Sequence, residues 1–344
     1  MRDFIGQRRL LARLGERAVQ GDVAHAYELS GPRSIGKRTL ATRLAQTLVC
    51  TTEPRLAGGC GRCLACRKVE NGTHPDVRLV TRLVDLEKAS DKKLIAIEQI
   101  REMQQDLALR PLEADWRIVI IDDAADLSEH AEVALLKTLE EPPPHAVILL
   151  VTATPSALLE TIRSRCVPLP LRLVATPEIA DGLERRFGAS ARAYAAAASG
   201  RPGIAIALAT DDAARLSRRA LETEFYRLIG SGLTERFAWA ADFAESERDA
   251  QKRSDAIESR LSEWSELIRD AAVALFEASR PVRPDRTAES ARLAAAVGRR
   301  ELVDLAVALE RWRRDVIESN VNARMLLELL VLRLPYSANV REAA

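Results

Sequence analysis

The run Gly31-Pro32-Arg33-Ser34-Ile35-Gly36-Lys37 sets two glycines and a lysine where backbone can wrap an anion. Ala26-Tyr27-Glu28-Leu29-Ser30 before it reads as a strand, and a helical pattern opens at Lys37. Strand, glycine loop and helix are the order a phosphate-binding loop requires. Glycines let N–H groups approach phosphate oxygens, the helix N-terminus adds favourable partial charge, and Lys37 is placed to reach β- and γ-phosphates. The competing reading is an ordinary βα turn. The motif is also incomplete. The residue after the lysine should be Ser or Thr, whose hydroxyl holds Mg²⁺, but here it is Arg38. Thr39 comes one residue late, about 100° round the helix, and is a poor substitute. A second acidic feature follows, Ile118-Val119-Ile120-Ile121-Asp122-Asp123. Asp122 is the candidate Mg²⁺ holder. Asp123 stands where a water-activating Glu is usual and is one methylene shorter, and displacements of about 1 Å matter in catalysis. A buried strand ending in a polar turn is the alternative. ATP or ADP binding is the expectation, with Mg²⁺ only if ATP is bound, and efficient hydrolysis is not expected.

Cys50, Cys60, Cys63 and Cys66 follow the spacing C-x9-C-x2-C-x2-C. Four thiolates can close a tetrahedral zinc site with Zn–S bonds of about 2.3 Å. Gly58, Gly59 and Gly61 permit the tight turns that such wrapping needs. A closed shell leaves no position for water, so the site is expected to be structural. Four unconnected buried thiols, or an iron–sulfur cluster, are the other readings. Cys166, the fifth cysteine, is read as a core thiol.

The elements that must position these groups can be read from pattern. Candidate strands are Ala26–Ser30, Asp76–Val80, Ile118–Asp122, Val147–Thr152 and Val167–Leu171. Pro168 and Pro170 mark the last as an edge strand. Helical segments separate them, one opening at Lys37 and one carrying Ile97, Ile100, Met103 and Leu107. A third follows Ser128, a good N-cap, and stops at Pro142-Pro143-Pro144. Strands alternating with helices predict a parallel α/β sheet covered on both faces. Beyond Leu171 strand signals fade. Thr176 to Leu208 reads as a small helical unit with a turn at Ser199–Gly203. From about Ala213 the chain reads as helical, with a seam at Leu302, Leu305, Leu309, Trp312 and Val316 and a break at Ser279–Thr287.

The chain has 344 residues, 47% hydrophobic, 29% charged and 4% aromatic, with a net charge of +1. Such a balance is ordinary for a soluble globular protein. It excludes a polyelectrolyte partner for DNA and a surface built mainly on base stacking. No apolar run approaches the roughly 20 residues of a membrane span, and Met1-Arg2-Asp3-Phe4 lacks a signal core. A cytoplasmic setting, where thiols stay reduced, is the expectation.

Taken together, these motifs resemble the clamp-loader branch of the AAA+ ATPases over nearly the whole length. The markers, in order, are Phe4-Ile5-Gly6-Gln7, His25-Ala26-Tyr27, the phosphate loop, the four cysteines and His74-Pro75-Asp76. Leu135-Leu136-Lys137-Thr138-Leu139-Glu140-Glu141-Pro142-Pro143 and Thr161-Ile162-Arg163-Ser164-Arg165-Cys166 follow, then Asn320-Val321-Asn322 before Leu326-Leu327-Glu328. The resemblance implies an AAA+ P-loop domain over 1–171 with a zinc module at about 50–66. It implies a helical lid over 172–210 and an all-α oligomerising collar over 213–336. It assigns Thr152 to a nucleotide-sensing position, Arg201 more weakly to a second one, and Arg165 to an arginine finger reaching a neighbour's ATP. It implies a hetero-pentamer with gamma/tau and delta subunits that opens a sliding clamp and sets it on primed DNA, with no membrane partner. Within the branch, Arg38, Asp123, His74-Pro75-Asp76, Leu158-Leu159-Glu160-Thr161 and the lack of a long extension after Pro335 favour the delta-prime type, a stator of the bacterial DNA polymerase III loader. The alternative is an active gamma/tau-like motor or a related helicase loader, which should carry Ser or Thr at position 38.

Overall fold

Runs such as Ile118–Ile121 and Ala146–Val151 carry apolar residues at every position, so both faces of a strand built from them must be covered. In the computed structural model, which describes residues 4–53, 57–82, 94–246, 250–276, 287–318 and 322–336, that is what forms. Five strands, β1 (Ala26–Ser30), β2 (Val77–Val80), β3 (Arg117–Ile121), β4 (Ala146–Thr152) and β5 (Val167–Pro170), make a parallel sheet in the order β2-β3-β4-β1-β5. Alternate residues feed two cores. Tyr27, Leu29, Ile118, Ile120, Val147 and Leu149 enter one, and Ala26, Val119, Ile121, Ile148 and Leu150 the other.

The helices of the first unit are α1 (Arg8–Val19), α2 (Lys37–Val49), α3 (Leu64–Glu70), α4 (Ile97–Ala108), α5 (Glu129–Glu140), α6 (Glu160–Arg163), α7 (Thr176–Phe187), α8 (Tyr194–Ala197) and α9 (Pro202–Thr210). Leu11, Leu14, Leu40 and Leu44 of α1 and α2 lie in the first core, and Ile100, Met103, Leu107, Leu135 and Leu139 of α4 and α5 in the second. The expected parallel α/β sheet is therefore present, and β5, with its two prolines, lies at an edge. Five strand ends differ by one residue from the pattern reading: β2 starts at Val77, β3 runs Arg117–Ile121, β4 starts at Ala146 and β5 ends at Pro170. Asp76 stays out of β2 because its carboxylate accepts the N–H groups of Leu112, Glu113 and Ala114 at 2.7, 2.7 and 3.0 Å. Asp122 lies just past β3, its own N–H donating to the Val80 carbonyl.

Among the described residues the chain divides into two compact units, 4–209 and 210–336. The second is helical: α10 (Asp212–Ile229), α11 (Leu233–Ser246), α12 (Ala250–Phe276), α13 (Thr287–Val297), α14 (Arg299–Glu318) and α15 (Ala323–Arg333). Leu302, Leu305 and Leu309 of the expected seam are buried, with Trp312 packed at the margin. The side chain of Val316, and most of the expected break, 279–286, lie outside the described residues, as do Asn320 and Val321. Asn322 caps α15, accepting from the N–H groups of Arg324 and Met325. No helix among the described residues is long and apolar enough to cross a membrane.

Candidate functional site

In an open parallel sheet, loops leaving the carboxyl ends of the strands make the binding crevice. Ser30 ends β1 beside Thr152, which ends β4, so the Gly31–Lys37 loop and Thr152 emerge side by side. Asp122 follows β3, the next strand over. Gly31 has φ +142, and a Cβ there would stand 2.5 Å from the Leu171 carbonyl oxygen, so only glycine fits. Gly36 caps α2 in the left-handed region. The buried Lys37 turns its ammonium back onto the loop, donating to the carbonyls of Gly31 and Pro32 at 2.8 and 2.9 Å. The N–H of Gly203, in the first turn of α9, donates to the Ser34 carbonyl at 2.8 Å. Thr39 is exposed on α2. Thr152 is fully buried, and its hydroxyl accepts the N–H of Thr154 at 3.1 Å, which fixes the turn after β4.

The acidic strand end is occupied by arginines. Arg38 reaches across the crevice to Asp122, Nη1 to Oδ2 at 3.3 Å. Arg82 lies 3.7 Å from Asp123 and 3.2 Å from Asp126. Burial and the neighbouring Asp123 push the Asp122 carboxyl above its ordinary range, while Arg38 and Lys37 pull it back. Asp123 adopts φ +53 at the start of a short 3-10 turn.

The four cysteines come together, their sulfurs all within 4.8 Å of one another. Cys50 Sγ lies 4.0 Å from Cys63 Sγ, and Cys60 Sγ 3.9 Å from Cys66 Sγ. A zinc tetrahedron with bonds of about 2.3 Å has edges of about 3.8 Å, so the donor set fits such an ion. Local structure explains the convergence. Cys50 caps the C-terminus of α2, and Cys63 caps the N-terminus of α3, its sulfur accepting the Cys66 N–H. Gln46 of α2 donates to the Cys66 carbonyl, and Thr47 accepts the Gly58 N–H. At Gly59, φ +70, a Cβ would lie 2.7 Å from Gln46 Cβ and 2.9 Å from Cys66 Sγ. A hydroxyl bond from Thr52, with N–H groups of Cys63 and Arg62, outweighs burial and brings the Cys60 thiol down to about 5. At Cys63 burial is overcome by N–H groups from Cys66 and Thr51, and that thiol is lowered too. Burial pushes Cys66 up. All five cysteines are free of disulfides, and the group can hold a metal.

Arg165 stands between α6 and β5, about a third exposed, donating to Glu140 Oε1 and the Thr161 carbonyl, both at 2.8 Å. Arg163 instead turns toward the sheet, 3.6 Å from the buried Glu28 and 2.9 Å from Glu160. Cys166 is buried, its thiol pushed up to about 12 by burial. The sequence reading missed Glu140, Arg82 and Thr52 as partners. Nothing local marks them, since Glu140 lies 25 residues from Arg165.

Residues 6–175 match a family model described as DNA polymerase III, delta subunit. A DNA polymerase III subunit delta' of Pseudomonas aeruginosa is 40% identical over 48% of this chain and 48% of its own length. A DNA polymerase III subunit tau of Bacillus subtilis is 30% identical over 78% of this chain and 47% of its own. A gamma-subunit-related protein of Thermotoga maritima, a solved structure, aligns at 17% identity and TM-score 0.42 over 98% of this chain and 99% of that one. The chain spans between a quarter and a half of the length of the curated relatives it matches. With that match over 6–175 and relatives at this identity, the chain is similar to the clamp-loader-type subunits of DNA polymerase III, the group of delta', gamma and tau.

Proposed function

We propose that the chain is a delta-prime-type stator of a DNA polymerase III clamp loader, joining gamma/tau and delta subunits in a hetero-pentamer that places a sliding clamp on primed DNA. The observation that carries this reading is Arg38. A working P-loop ATPase needs a hydroxyl there, and this chain has a guanidinium paired to Asp122. Lys37 and the loop N–H groups can still bind the phosphates of ATP or ADP, once the ammonium leaves the Gly31 and Pro32 carbonyls. Thr152 ends the strand beside this loop. Asp123, already facing Arg82, is a poor base for water. The chain's contribution to catalysis is Arg165, whose planar, permanent charge suits the phosphates of a neighbouring subunit's ATP.

Residues 1–171 would serve as the nucleotide-binding body, 172–210 as a lid, and the helices of 213–336 as the oligomerising collar. The four thiolates would hold one structural zinc, whose binding free energy is then part of folding. Metal analysis of protein purified without chelator should give one zinc per chain, and Cys63→Ser should lose it with a lower melting temperature. Zinc far below one equivalent argues against the site.

A motor reading draws on the gamma and tau relatives, and position 38 stands against it. Purified chain should turn over no ATP. Steady hydrolysis near about 1 s⁻¹, the low end for a working phosphoryl-transfer enzyme, abolished by Lys37→Ala, would make it a motor.

A further inference from the structure

The P-loop of this chain does not fit the divalent cation that such loops employ. That ion needs a hydroxyl oxygen from the helix and a carboxylate from the strand end. Arg38 offers no oxygen, and its guanidinium lies 3.3 Å from Asp122. Asp123 faces Arg82 at 3.7 Å, and the same arginine holds Asp126 at 3.2 Å. A dication entering here would displace one fixed cation and be repelled by another.

We infer that Arg38 replaces the divalent cation, so that this crevice takes a nucleoside polyphosphate free of metal. The inference rests on the reading of the loop as a nucleotide site. The polyanion is met by Lys37, by Arg38 and by the amides of Gly31–Lys37. A guanidinium suits the double task, because its five donors lie in one plane. One edge can stay on Asp122 while another turns to a phosphate oxygen. The Arg38 side chain is 57% exposed, so it opens onto the crevice. Arg38 thus becomes a specificity-determining residue that selects the metal-free nucleotide.

The test is equilibrium binding of a fluorescent ATP analogue (an N-methylanthraniloyl ester) to the full chain. One buffer holds excess Mg²⁺. The other is stripped of divalent ions over chelating resin, with no soluble chelator and matched ionic strength. Binding should be at least about tenfold weaker in the Mg²⁺ buffer, where most of the nucleotide carries the metal, and equal constants in the two buffers would overturn the selection of the metal-free form. Arg38→Thr should weaken metal-free binding by about tenfold or more and recover it when Mg²⁺ is added, since the variant restores the hydroxyl. Arg38→Lys, which keeps the charge and the exposed setting, should retain most metal-free binding and so separates charge from folding. Binding only with Mg²⁺ overturns the inference and leaves the nucleotide reading standing. No binding in either buffer overturns the nucleotide reading, and the inference with it. Unchanged metal-free binding in Arg38→Thr removes Arg38 from the role.

Discussion

Arg38 and Arg165 are both arginines held by a carboxylate, yet they point to opposite uses. Arg38 closes on Asp122 inside the crevice, and Arg165 on Glu140 at an exposed corner. An exposed ion pair is worth little, on the order of 0–1 kcal/mol, so Glu140 can release Arg165 to a partner cheaply. On the proposed finger role, Arg165→Ala in a reconstituted loader should assemble normally with unchanged metal content. Its total ATPase should fall in part, because one site among several would lose a group worth roughly 10³–10⁵ in related phosphoryl transfer. Clamp loading should fall further. Unchanged loading and ATPase would make Arg165 an ordinary surface cation, and a failure to assemble would make it structural. The residue types at this scale were legible. Gly31, Lys37 and the cysteines announce themselves by spacing, and Arg38 by standing where a hydroxyl belongs. Its partner was not legible, because Asp122 lies 84 residues away and only the sheet order brings the two together.

At the scale of elements, β3 and β4 were readable because burial on both faces demands apolar runs, whereas β2 and β5 are partly exposed and interrupted by Arg78 and by two prolines. Helix α1 was not read. Its N-cap is Gln7 with left-handed backbone and no side-chain bond to the helix N-terminus, so no start signal announces it. Asp76 shows why the boundary of β2 moved. Its carboxylate fastens the loop at 112–114 to the strand, and it is fully buried. Burial would raise its pKa, but the three N–H groups and Arg117 lower it below the ordinary value. A lowered carboxyl stabilises the fold above its unfolded pKa, and that contribution is lost as pH falls through the folded value. His74 acts in the same direction, because burial lowers it from 6.5 and protonation then opposes the fold. Stability should therefore decline below about pH 6.5 and again below about pH 4. Asp76→Asn, which turns an amide donor toward those N–H groups, should cost about 2–3 kcal/mol at pH 7 and flatten the second decline. Denaturant melts across pH check this, and an unchanged acid limb would refute it.

At the scale of the molecule, each unit carries its own core. Among the described residues, that of the second unit draws only on residues from Phe225 to Leu334, with Phe225 and Trp239 each packed on Trp264. A fragment of residues 210–336 should therefore melt cooperatively alone, followed by tryptophan fluorescence. If it is the collar, it should also co-purify with partner loader subunits, and failure to do so would count against that assignment. Arg236 is the most exacting residue in it. The buried guanidinium donates to five carbonyls, those of Leu228 and Ile229 at the end of α10, of Val331 in the last turn of α15, and of Leu334 and Pro335 just after it. Arg236→Met would strand these acceptors and should lower the fragment's stability by about 3 kcal/mol. Helical periodicity made this unit visible as helices. It gave no hint of Arg236, which looks like any charged residue on a polar face until the chain returns beside it 95 residues later.

Helix α2 begins at the lysine of the phosphate loop and ends at the first cysteine of the cluster. Thirteen residues make a rod of about 20 Å. The two ends are therefore not independent reagents in a test tube. If the four thiolates hold the proposed zinc, a soluble chelator added to strip magnesium would also draw on that ion, loosen the far end of the rod and disturb Gly36 and Lys37 at the near end. A nucleotide affinity lost in that way would mimic a magnesium requirement.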